Sequence, residues 1–125
     1  MMGRARIVGV AAVCGLALVM GGPSGQGATS SAADGQVAEK PLLENDRVLV
    51  VEYTFPAGFR GDEHAAIANE FAYVIDGEFT VVTRGQGRRV VRTGEIEYAS
   101  KGTVHNSLNE SRRPARVLVV YLKGS

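Results

Sequence analysis

Past Lys40 the chain offers no stretch that can form a stable amphipathic helix, and this constrains the fold more than any other feature. Ala65 to Ala68 permits a helix but is too short for one. The rest is a series of short β-branched and aromatic runs. They are punctuated by turn dipeptides at intervals of roughly 8–12 residues, the pattern of an antiparallel sandwich or barrel. Arg47 to Phe55 (RVLVVEYTF) reads as a strand, with Leu49, Val51, Tyr53 and Phe55 on one face. Glu70 to Asp76 is a second strand, with Glu70, Ala72 and Val74 sharing a face. Asp76-Gly77 is a hairpin-type turn. Phe79 to Arg84, Arg88 to Arg92, Glu95 to Tyr98 and Val104 to Leu108 continue the series, separated by Gly85-Gln86-Gly87, Thr93-Gly94 and Lys101-Gly102. Arg116 to Leu122 (RVLVVYL) is almost uninterrupted in its apolar character, so a central strand buried on both faces is expected.

The first third of the 125 residues is different. Arg4 and Arg6 precede an apolar run from Ile7 to Met20, and a Gly/Ser/Ala-rich stretch follows. This is the n-, h- and c-region order of a secretory signal peptide. Residues 1–33 are therefore expected to be a leader, 34–40 a flexible tether, and 41–125 the single folded domain. The product would be secreted or periplasmic, with no stable membrane insertion once the leader is removed. An uncleaved N-terminal anchor is the rival, though the run is short of the roughly 20 residues that span a bilayer. Cys14, the only cysteine, lies inside the apolar run, so an exported domain would contain no disulfide. Without Arg4 and Arg6 the chain keeps 12 basic and 13 acidic residues, a balance that does not suggest nucleic acid as a partner. The arginines at 84, 88, 89 and 92 flank a hairpin and read as a solvated edge that discourages sheet-to-sheet association.

Only two stretches could carry chemistry. Gly58 to Gly77 holds His64 and, six residues on, Glu70; Gly94 to Asn109 holds His105, the other of the two histidines. A histidine and a carboxylate on neighbouring strands can meet inside a barrel, and a later strand can add a second imidazole. Two His and one carboxylate with open positions form a ligand set used by non-haem Fe(II), and Mn or Zn could also use it. If a short strand begins near His64, Ala66 faces the same way as His64 and Glu63 faces away. The bland readings are a structural histidine in a strand, a surface carboxylate at Glu70, and a hydrogen-bonding strand end at Asn109.

At these residues the chain resembles the cupin superfamily, as a small single-domain cupin preceded by a leader. Gly58, His64, Glu70 and Gly77 fall on the spacing of the family's first motif, and Gly94, Gly102, His105 and Asn109 on that of its second. The resemblance implies an all-β, double-stranded β-helix (jelly-roll) barrel with metal ligands at His64, Glu70 and His105. Ala66 stands where the first motif has its second histidine, and Ser100 where the second motif usually has proline. The family's three-His, one-Glu site is therefore incomplete. Two functions follow from this reading. One is an exported metal-dependent enzyme, oxygenase-like, using Fe, Mn or Zn at the two-His/one-Glu site. The other is a non-catalytic small-molecule-binding cupin with a degenerate metal site. An exposed strand edge would also permit a homodimer.

Overall fold

The computed structural model describes residues 35–124. The expected leader, with Cys14, lies outside the described residues. Among the described residues, nine strands form two facing antiparallel sheets. The first sheet is built from β1 (Ala38–Glu44), β2 (Val48–Phe55), β9 (Ala115–Leu122), β4 (Asn69–Asp76) and β7 (Ile96–Ala99), in that spatial order. The second runs β3 (His64–Ala65), β8 (Val104–Leu108), β5 (Glu78–Thr83), β6 (Gly87–Arg92). No helix is present among the described residues.

The strands expected from alternation are found with ends displaced by about one residue, within the fraying that strand ends show. In β2 the alternation is complete: Leu49, Val51, Tyr53 and Phe55 are buried and the residues between them are half-buried. They pack with Val74, Phe79, Val81, Val91 and the inner residues of β9 into one core. Phe55 is central to it, its ring 6.1 Å from Tyr53, 5.2 Å from Phe59 and 5.8 Å from Phe79.

Two expectations need correction and a third needs an addition. Ala38 to Lys40, read as tether, belong to β1, and Ala38 to Glu44 pair with β2 across a bulge between Pro41 and Leu43. The polar composition of β1 hid it, because an exposed edge strand need not be apolar. Strand β9 is central as expected, but buried on one face only: Ala115, Val117, Val119 and Tyr121 are buried, while Leu118, Val120 and Leu122 are half-buried. The arginines of the β5–β6 hairpin stay exposed along the edge strand β6, as expected, and three of them are also hydrogen-bonded to carboxylates. Arg84 bonds Glu63, Arg88 bonds Glu110, and Arg89 bonds Glu97.

Two motif residues turn out to be backbone devices. Gly77 closes β4 to β5 at φ +87°, and a Cβ there would lie 2.7 Å from the Pro114 carbonyl oxygen. Only glycine fits that left-handed turn against its neighbour. Asn109 is fully buried. Its amide donates to the carbonyls of Phe55 (3.0 Å) and Arg113 (2.8 Å), and its oxygen accepts from the backbone and hydroxyl of Ser111. It ties three chain segments together, which is the strand-end role expected of it.

Candidate functional site

The inner faces of the two sheets do not meet everywhere. Between them lies a cavity with walls from both sheets, largely apolar and aromatic: Phe55, Phe59, Phe79, Val81, Val117 and Val119 among them. Its polar residues are few. His64, Glu70, Glu97, His105, Ser107 and the tyrosines 53 and 121 line it, the two phenols bonded to each other at 2.9 Å. An apolar pocket with few convergent polar groups is the usual form of a small-molecule site.

Strand register explains why the candidate residues share this space. The pairing of β3 with β8 sets His64 directly opposite His105, and their rings lie 4.9 Å apart in an edge-on arrangement. Glu70 enters from the other sheet, on β4, so that its Oε2 lies 3.4 Å from His105 Nε2. All three residues that the sequence singled out thus line one cavity. As the side chains lie, no three His, Cys, Asp or Glu residues among the described ones form a group that could hold a metal ion. Ala66 is buried, but β3 stops at Ala65 and Ala66 does not line the cavity, contrary to the same-face expectation. Glu63 is exposed and engaged by Arg84, as expected of a residue facing away.

The electrostatics follow from burial. Loss of water pushes the Glu70 carboxyl up to about 7, with the nearby Glu97 charge adding to the effect. The same loss pulls the His105 imidazolium down to about 4, with His64 contributing. The 3.4 Å contact between Glu70 and His105 has the spacing of an ion pair, yet both shifts favour the neutral forms. At neutral pH His105 carries no charge while Glu70 is divided between its two forms, so the contact is not a standing ion pair.

Among the described residues, three buried side-chain polar atoms have no hydrogen-bond partner: His64 Nε2, Glu70 Oε1 and His105 Nδ1. Each such atom costs roughly 1–3 kcal/mol when left unmet. His64 is the most telling. Its Nδ1 lies 3.0 Å from the Asp62 carbonyl oxygen, which can only accept, so Nδ1 carries the hydrogen. That leaves Nε2 as a buried lone pair. A backbone carbonyl holding one ring nitrogen is the outer-shell arrangement common to metal-binding histidines. The donor chemistry of His64, Glu70 and His105 therefore suits a divalent cation.

Sequence reasoning missed Glu97. In the β4–β7 pairing it stands opposite Ala72, with Glu70 opposite Ala99, so both carboxylates face the cavity from adjacent strands. Glu97 is held by Arg89, which also donates to the Ile96 carbonyl. Its flanking residues, Ile96 and Tyr98, are both apolar, so nothing in the local pattern marks Glu97 as inward-facing. The register turns it inward, leaving the two apolar residues half exposed.

Comparison with known proteins agrees with the architecture. The Cupin domain model matches residues 51–121, more than half the chain. No curated protein matches the chain. The fold is similar to that of an RmlC-like cupin family protein with a double-stranded β-helix fold from Methanocaldococcus jannaschii. That protein shows 18% identity and a TM-score of 0.65, with 71% of this chain and 82% of that one covered. A protein of Thermus thermophilus shows 24% identity and a TM-score of 0.66 over 83% of this chain and 98% of its own. The polyketide cyclase RemF of Streptomyces resistomycificus shows 22% identity and a TM-score of 0.64 over 69% and 64%. With two facing antiparallel sheets, motif glycines and histidines in register, and a family model spanning β2 to β9, this chain belongs to the cupins.

Proposed function

We propose that the protein is an exported, metal-dependent enzyme that acts on a small, largely apolar molecule in the cavity between its sheets. The observation that carries this is the buried lone pair on His64 Nε2, fixed by the Nδ1 bond to Asp62 and without a partner. His64, Glu70 and His105 would hold the ion, an Fe, Mn or Zn. Once bound, such an ion would polarise an oxygen donor or activate water or O₂. The chain's own residues supply the rest. Phe55, Phe59 and Phe79 give an apolar wall that excludes water and takes the body of the ligand. Glu70, which burial holds near 7 in the metal-free protein, would give up its proton to bind the ion. Glu97 places a second carboxylate on the same wall. That RemF is a polyketide cyclase supports the enzyme reading by analogy of fold alone.

A second reading draws on two specific observations: the absence of a ready three-ligand group among the described residues, and alanine at position 66. In it, the cavity binds a small molecule without turnover. Elemental analysis of the purified protein, with His64→Ala as control, separates the two. Stoichiometric metal in the wild type that is lost in the variant supports the enzyme. Metal-free protein that does not take up Fe(II), Mn(II) or Zn(II) on titration sinks that reading in favour of the binding module.

A further inference from the structure

Glu97 is the carboxylate of the cavity that an ion at His64, Glu70 and His105 leaves unused. Register explains its surroundings. It stands opposite Ala72 on β4, and Ala99 follows two residues along its own strand, on the same face. Both alanines line the cavity, so methyl groups flank the carboxylate and space is left in front of it. Glu70 lies diagonal to Glu97 across the β4–β7 pair, a spacing of roughly 7–8 Å in such sheets.

Arg89 reaches Glu97 from the edge strand β6, donating to Oε1 and to the Ile96 carbonyl. Its guanidinium is half exposed and does not line the cavity, so it fixes the carboxylate from the solvent side. Among the described residues the bond engages Oε1 alone, and a carboxylate can accept through both oxygens.

The rest of the lining decides what could use that second oxygen. No lysine or arginine lines the cavity among the described residues, and two carboxylates do. A ligand carboxylate or phosphate would meet like charge there and no cationic side chain to offset it. An independent observation points the same way: Glu70, 8% exposed, presents Oε1 to this cavity with no partner. The aromatic wall suits an organic cation as well. Phe59 and Phe79 lie 5.2 and 5.8 Å from Phe55, and such rings attract a cationic group while they take up an apolar body.

We propose that the cavity selects an organic amine, with an aryl or alkyl body against the phenylalanines and a protonated amino group donating to Glu97 Oε2. The proposal rests on the reading that the cavity takes a small molecule, which the enzyme and the binding module share. Glu97 lies outside the three residues that would hold an ion, so it remains available when one is bound. It is a specificity residue: a fixed charged acceptor favours the ligand that brings a donor and a positive charge over an isostere that brings no charge.

Calorimetric titration of the full purified protein with 2-phenylethylamine, 2-phenylethanol and 3-phenylpropionate tests this, on protein as isolated and after dialysis against a chelator. The probes share an aryl body and differ in their head group, which at neutral pH is an ammonium, a hydroxyl and a carboxylate. The amine should bind at least tenfold tighter than the alcohol in both preparations, and the carboxylate should bind most weakly in the dialysed one. Glu97→Gln keeps the shape of the side chain without its charge, and should bring the amine to within about threefold of the alcohol. Circular dichroism checks that the variant folds, and the order of the probes in the wild type tests the proposal without it. An alcohol that binds as tightly as the amine overturns the proposal and leaves the cavity reading standing. A preference for the amine that survives in Glu97→Gln also overturns it. Failure of all three probes to bind removes the cavity reading itself, and the amine proposal with it.

Discussion

Glu70→Gln in metal-free protein should raise stability at high pH, and the gain should disappear in acid. The carboxyl is 8% exposed, and burial moves its pKa from 4.5 to about 7. A carboxyl whose folded pKa lies above its unfolded value favours folding only while protonated. Its penalty sets in as pH rises past 4.5 and is complete above about 7. Each pKa unit is worth about 1.4 kcal/mol, so the penalty is on the order of 3 kcal/mol at pH 8, about 2 at pH 6 and close to zero by pH 4. Glutamine keeps the shape without the charge and should relieve that amount. For a domain of this size the relief corresponds to a Tm about 10 °C or more higher at pH 8.

His105 has the opposite slope. Its folded pKa of about 4 lies below the usual 6.5, so it costs stability as pH falls from 6.5 through 4. In the wild type the two slopes nearly offset between about pH 4.5 and 6.5. In Glu70→Gln the His105 slope stands alone, and stability should fall on acidification through that window. Chemical denaturation of both proteins from pH 4 to 8, in the presence of a chelator, is the assay. A variant less stable than wild type at pH 8, or a difference that does not change with pH, would refute the burial argument. Adding Mn(II) or Zn(II) should reverse the order at a thousandfold excess over Kd, because a ligand that binds only the native wild type then stabilises it by about 4.1 kcal/mol.

Four further outcomes are expected. His64→Ala should weaken Mn(II) or Zn(II) binding at least tenfold by calorimetric titration, and wild-type affinity should drop as pH falls and Glu70 takes up its proton near 7. Asn109→Ala leaves the Phe55 and Arg113 carbonyls unmet, and urea denaturation should show a loss of about 3 kcal/mol with the metal affinity of refolded protein unchanged. Ala66→His should destabilise by about 1–3 kcal/mol without tightening metal binding, because the methyl it replaces is buried outside the cavity lining. N-terminal sequencing of exported protein should begin between about residues 24 and 34, and an intact Met1 on membrane-bound material would instead identify an anchor.

The sequence alone determined the strands and most of their inward faces. Alternation has a period of two whatever the strand pairs with, so Leu49, Val51, Tyr53 and Phe55 could be assigned to the core before any partner was known. The turn glycines were legible for a similar local reason: Gly77 sits at a backbone angle that other residues resist. Motif spacing also brought His64, Glu70 and His105 to attention, and they do line one cavity. What depends on pairing between distant segments could not be read from one strand at a time. Polar β1 became a strand only because β2 offered it an edge. Glu97, between two apolar residues, pointed inward only because its register with β4 required it, and that same register turned Ile96 and Tyr98 outward. Tertiary structure likewise decided the electrostatics. Glu70 titrates near 7, not in the ordinary carboxylate range, because two sheets exclude water from it, and desolvation is a property of the assembled walls rather than of any residue in the chain.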